Sequence, residues 1–144
     1  MSDAAVQPLG VDAATQLLSE RWGIEGQLHR LPGYEDENYR VESDAGHFVF
    51  RISHPGVARA SLETQNAAMK AAASVLEGRC PDAVPSQAGR ELETVEHAGA
   101  QRLCRLLRFV PGTLWADARP HPLARHRELG TFLAQLVGAL GSVE

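Results

Sequence analysis

The chain lacks an excess of positive charge. Its 14 Lys and Arg are outnumbered by 18 Asp and Glu, for a net charge of -4. That excludes nucleic acid as the main partner, because phosphate backbones are held by clustered cations, although one locally positive pocket is still compatible with it. The chain also lacks any apolar run long enough to cross a bilayer, so no membrane partner is expected. The stretch Met1 to Gly10 contains Asp3 and no basic segment followed by an apolar block, and does not read as a signal peptide. Cysteine is scarce. Cys80 and Cys104 are far apart and form no CxxC pair, which reads as two reduced thiols in a cytoplasmic protein rather than a disulfide. There are no internal repeats, no low-complexity segments, no G-x-S-x-G motif and no metal-ligand spacing among His and Cys.

What is present fits one compact domain with a real core: 144 residues, 44% hydrophobic and 22% charged. Ala14, Leu17, Leu18 and Trp22 fall on one helical face, with Asp12 placed to cap the start and Gly23 to end it. Strands are expected at Gln27–Leu31, Asn38–Glu42 and His47–Ser53, with a hairpin turn at Asp44-Ala45-Gly46. In the third strand Phe48, Phe50 and Ile52 alternate with Val49 and Arg51, so an apolar face is opposed by one Val and one cation. Leu62, Asn66, Met69, Ala73 and Leu76 then repeat at helical spacing up to Gly78. Pro81–Gly89 reads as a loop, and Leu92–His97 with Gln101–Val110 as a second hairpin. After Pro111-Gly112 and a Pro-, His- and Arg-rich linker, Leu129, Leu133, Leu136, Val137 and Leu140 mark a final helix. Its apolar stripe needs a partner that the chain does not supply, which suggests part of a longer protein.

Three strands, a helix, two strands and then a Pro-Gly hinge is the order of a kinase small lobe. The segments Gly46–Ile52, Leu62–Met69, Val84-Pro85 with Gly89, Leu106–Gly112 and Leu129–Ala134 together resemble the aminoglycoside phosphotransferase and choline kinase-like family over its N-terminal lobe. The Glu63–Met69 stretch is most similar to the hydroxylysine kinase-type branch, which includes domains fused to class III aminotransferases. The resemblance implies an α+β fold: a protein kinase-like small lobe with an antiparallel five-stranded sheet and one packed helix. It divides the chain into an N-terminal helical segment (1–26), a nucleotide-binding lobe (27–112), and a linker with the first helix of an incomplete C-terminal lobe (113–144).

The same resemblance implies a kinase using ATP or GTP with Mg²⁺, phosphorylating a hydroxyl of an amino-acid-like or aminoglycoside-like substrate. Arg51 is the candidate for the α and β phosphates, as a permanent cation with paired donors. Glu63 is the candidate anchor for Arg51, after the Lys–Glu pair of kinases. Asn66, a polar residue within an apolar stripe, needs a hydrogen-bond partner and could orient Glu63. Val49 is expected to cover the base, the backbone of Arg108 and Val110 to face its edge, and Asn38 to contact phosphate. The plainer readings are a surface Arg51, an exposed Glu63 and an Asn66 satisfied by backbone.

The loop Gly33–Asn38 departs from the expected pattern. It carries Glu35, Asp36 and Glu37 and is neither G-x-G-x-x-G nor a P-loop. Its acids are read as a solvated loop or as a receiver for a substrate amine. Arg119, His121, Arg125, His126 and Arg127 form a basic cluster, read as a solvated face, an anion receiver or a contact for a further lobe. None of the 6 His has Asp two residues on, so no catalytic base can be named, and the metal site is expected in a lobe beyond these residues. Three readings remain: a small-molecule kinase, a kinase-like binding module without transfer activity, and an unrelated α+β domain.

Overall fold

The computed structural model describes residues 7–143; the Met1–Val6 part of the leader reading lies outside them. The order is α1 (Val11–Trp22), β1 (Gly26–Leu31), β2 (Glu37–Ser43), β3 (Gly46–Ile52), α2 (Arg59–Val75), β4 (Ala83–Val84), β5 (Glu93–His97), β6 (Ala100–Arg108) and α3 (Leu123–Leu140). The strands form one antiparallel sheet in the order β1-β2-β3-β6-β4, with β5 also paired to β6. This is the mixed small-lobe architecture expected, with six strands instead of five. The additional strand, β4, falls in the segment expected to be a loop. Two residues are too few to show a period, and only pairing with Leu106 and Leu107 defines it.

Alternation on β3 decides which helix covers which face. Phe48, Phe50 and Ile52 join Tyr39, Val41, Cys104 and Leu106 in a core closed by α1 through Ala14, Leu17, Leu18 and Trp22. Trp22 meets Phe50 edge to face with centroids 5.5 Å apart, and its indole N–H donates to the Val84 carbonyl at 2.9 Å. Fully burying each such side chain stabilises the fold by about 1.5–3 kcal/mol. Gly23 ends α1 in the left-handed conformation, as expected. Asp12 does not cap it. The helix starts at Val11 behind Gly10, so Asp12 lies inside the first turn, where its charge still suits the helix dipole. The chain entering α1 is held instead by Glu37, which accepts from the Leu9 and Gly10 amides at 2.9 and 3.3 Å.

On the opposite face α2 lies over β6, with Leu62, Asn66 and Ala72 buried. It ends at Val75, before Gly78. Helix α3 starts six residues earlier than its Leu129 stripe indicated, at Leu123. Of the expected stripe only Leu136 is half-buried; Leu129, Leu133, Val137 and Leu140 are exposed. Phe132, Leu136 and Ala139 form the covered row, and the Arg79 guanidinium stacks 5.6 Å from the Phe132 ring. Helix α3 thus has two adjacent apolar rows and buries one. No helix among the described residues is long and apolar enough to cross a membrane. Cys80 and Cys104 are both free.

Candidate functional site

Register places the site on the face opposite α1. Asn38, Arg51 and Arg105 stand side by side across β2, β3 and β6, and the next row is Arg40, Val49 and Leu107. Ala83 of β4 extends that second row. A polar row carrying two cations therefore adjoins a row with a short apolar floor. Phe109, just past β6, continues this face, and the Arg40 guanidinium lies 4.7 Å from its ring centroid.

The acidic loop folds over the polar row. Gly33 is required there: a Cβ would come within 2.5 Å of the Asp36 carbonyl and 2.7 Å of the Asn38 amide. Gly33, Tyr34, Glu35, Asp36, Asn38 and Arg51 line an open recess of about 290 Å³. The Asp36 carboxylate accepts from Arg51 Nε at 2.8 Å and Nη2 at 2.6 Å, and from the His54 amide at 2.9 Å. Glu37 turns the other way, because β2 already begins there and successive strand residues alternate. It is buried and paired with Arg102. Only Glu35 is solvated, 3.7 Å from His54. The three acids do not act as one group. One neutralises the candidate phosphate cation, one sits in the core, and one is exposed.

Arg105 is buried, and its guanidinium donates to Asn66 Oδ1 at 2.6 Å and Gln65 Oε1 at 2.7 Å. Among the described residues no carboxylate pairs with it. Burial pushes the Arg105 guanidinium below its ordinary pKa, neighbouring Arg51 pushes it further down, and Asp36 partly offsets both. Two arginines and one carboxylate leave this row with one uncompensated positive charge, which favours an anion.

Residues 27–143 match the profile of the phosphotransferase enzyme family. The chain belongs to that family. Among solved structures, the microcompartment-associated aminopropanol kinase is similar over 90% of this chain and 40% of its own, at 22% identity and a TM-score of 0.67. Spectinomycin phosphotransferase, solved with ADP and spectinomycin, is similar over 90% of this chain and 38% of its own, at 13% identity and a TM-score of 0.65. The chain thus spans about two fifths of the length of these structures, and at such identities the likeness is one of fold. No curated protein matches the chain.

Within this member of the family, Arg51, Val49 and Asn38 share one face, while Glu63 does not join them. Glu63 is exposed and lies 3.9 Å from Arg59, one helical turn back. The reason is helical phase. Leu62 and Asn66 point at the sheet, so Glu63 is rotated about 100° away from Leu62. Asn66 is held by the Arg105 side chain and orients nothing toward Glu63. At the hinge, the Arg108 amide donates to the Asp82 carbonyl at 2.9 Å and is not available to a base edge. The Val110 amide makes no hydrogen bond among the described residues, and Val110 lines a recess of about 290 Å³ with Asp82, Arg108, Phe109 and Cys80. In the basic cluster, His121 stacks on Trp115 at 4.3 Å and Arg125 donates to the Pro120 carbonyl at 2.7 Å, so these residues fold the linker onto itself. Among the described residues no group of three or more His, Cys, Asp or Glu could hold a metal.

Sequence reasoning missed Arg105, Leu107 and the split roles of Asp36 and Glu37. The available signal was Arg102 and Arg105 within the otherwise apolar stretch Arg102–Leu107. A central strand buries both faces, so a cation within it must have a built partner.

Proposed function

We propose that this chain is the nucleotide-binding part of a small-molecule kinase that moves the γ-phosphate of ATP or GTP to a hydroxyl on an amino-acid-like or aminoglycoside-like acceptor. The observation that carries this reading is the polar row Asn38–Arg51–Arg105 beside the apolar row Val49–Leu107, on a face that also carries the hinge. Phosphoryl transfer is achieved mainly by positioning and charge neutralisation, and this face offers both. Arg51 would exchange Asp36 for phosphate oxygens, Val49 and Leu107 would floor the base, Asn38 would contact phosphate, and the Val110 amide would meet the base edge. Mg²⁺ supplies charge neutralisation on the triphosphate, and its ligands are assigned to the part of the protein beyond this segment. In this reading residues 1–26 buttress the sheet, 27–112 form the lobe, and 113–144 lead into a second lobe that holds the acceptor and covers the exposed row of α3. The Glu63–Met69 stretch supports the hydroxylysine kinase-type branch, aminotransferase fusions included, and the free cysteines suit a cytoplasmic setting.

A second reading, a kinase-like module that holds a ligand without transferring phosphate, is favoured by one observation: Asp36 already occupies Arg51. The two separate on the full-length protein. Phosphate transfer from Mg·ATP or Mg·GTP to an amino alcohol, lost in Arg51→Ala with the fold retained, is the expected result. Transfer that is unchanged in Arg51→Ala removes that residue from the site, and nucleotide binding without transfer establishes the second reading.

A further inference from the structure

The kinase Lys–Glu link joins the third-strand cation to the following helix through a carboxylate. Here Arg51 has no such link. The helix is instead tied to the neighbouring strand by Arg105, directly opposite Arg51, and both acceptors on α2 are neutral amides. Amides satisfy a guanidinium's donors without cancelling its charge. Two buried donors, Arg105 Nε and Asn66 Nδ2, are left with no partner among the described residues. Among the described residues the only carboxylate bonded into the row, Asp36, is spent on Arg51.

We infer that Arg105 is a positioning residue with an electrostatic role: held by Gln65 and Asn66, it fixes α2 on the sheet and leaves a full buried positive charge behind Arg51 to draw a polyphosphate into the Gly33–Asn38 recess. This rests on the nucleotide reading. It predicts that the neutrality of the two amides matters, which a purely structural clamp would not require. An Asn66→Asp exchange keeps the acceptor oxygen and converts the clamp into an ion pair.

ADP binding by the 144-residue chain, followed by amide NMR shifts, tests it. Asn66→Asp is expected to retain the fold by circular dichroism and melting and to weaken ADP on the order of tenfold, with the deficit shrinking as salt rises. Gln65→Glu makes the same charge change at an exposed helix position and serves if the buried acid does not fold. ADP affinity unchanged in the folded acid variants, while Arg51→Ala abolishes binding, overturns the role of Arg105 and leaves the nucleotide reading intact. No shifts at millimolar ADP overturn the nucleotide reading and this inference with it, whereas equal binding by wild type and Arg51→Ala removes Arg51 from the site and overturns this inference alone.

Discussion

Arg102 and Arg105 lie three residues apart on one strand, both buried, and face opposite sides of the sheet. Arg102 is enclosed by a carboxylate and two carbonyls: it pairs with Glu37 and donates to Ser53 O at 2.8 Å and Ile52 O at 3.2 Å. Arg105 has two amides and no carboxylate. The acids divide in the same way. Glu37 is closed in by Arg102, the Tyr39 hydroxyl at 2.9 Å and the α1 entry amides, whereas Asp36 holds Arg51 at the half-open edge of the loop. A charge that is fully answered within the protein specifies the fold. A charge left in surplus on an accessible face is available to a ligand. One sheet carries both kinds, separated by the strand's alternation.

The largest expected effect is on the closed side. Arg102→Met strands a buried carboxylate and should cost about 3–5 kcal/mol in urea denaturation. Arg105→Met strands only neutral amides and should cost about 1–2 kcal/mol. Equal losses would erase the distinction between the two arginines. The acid limb sharpens it further. Burial alone would raise the Glu37 carboxyl, but the bonds from Leu9, Arg102, Tyr39 and Gly10 together hold it below its ordinary value of 4.5. Its stabilisation is therefore complete above that ordinary value and is lost as pH falls through the lower folded-state value. Denaturation midpoints for Glu37→Gln should already be low at neutral pH and should fall less steeply with acid than those of wild type. Burial first, and then the bond to Glu37, push the Tyr39 phenol up to about 12.

On the open side stability should hardly respond. Arg51→Ala removes a half-exposed pair and should cost at most about 1 kcal/mol while removing nucleotide binding. Glu63→Ala should change stability by less than about 0.5 kcal/mol and leave ADP binding unaltered. A large binding loss in Glu63→Ala would restore the helix carboxylate to the site and contradict the geometry.

The division between the sides was only partly legible in the sequence. The alternation Phe48, Phe50, Ile52 against Val49, Arg51 set both faces of β3, and Leu62 with Asn66 set the inward face of α2. Asp36 and Glu37 could not be separated, because the strand was expected to begin at Asn38, which left Glu37 in the loop and outside the alternation that turns it into the core. Arg105 was hidden because both faces of β6 are covered, so its strand shows no alternation. Glu63 was misplaced because a charge pair was expected where an amide clamp does the joining.

The most direct test is a titration of the 144-residue chain with ADP, read residue by residue by NMR. Shifts at Asn38, Arg51, Leu107 and Val110, with Leu18, Trp22 and Arg102 unmoved, are the predicted result. Shifts confined to the α1 side, or none at millimolar ADP, would contradict the assignment of the open face to nucleotide.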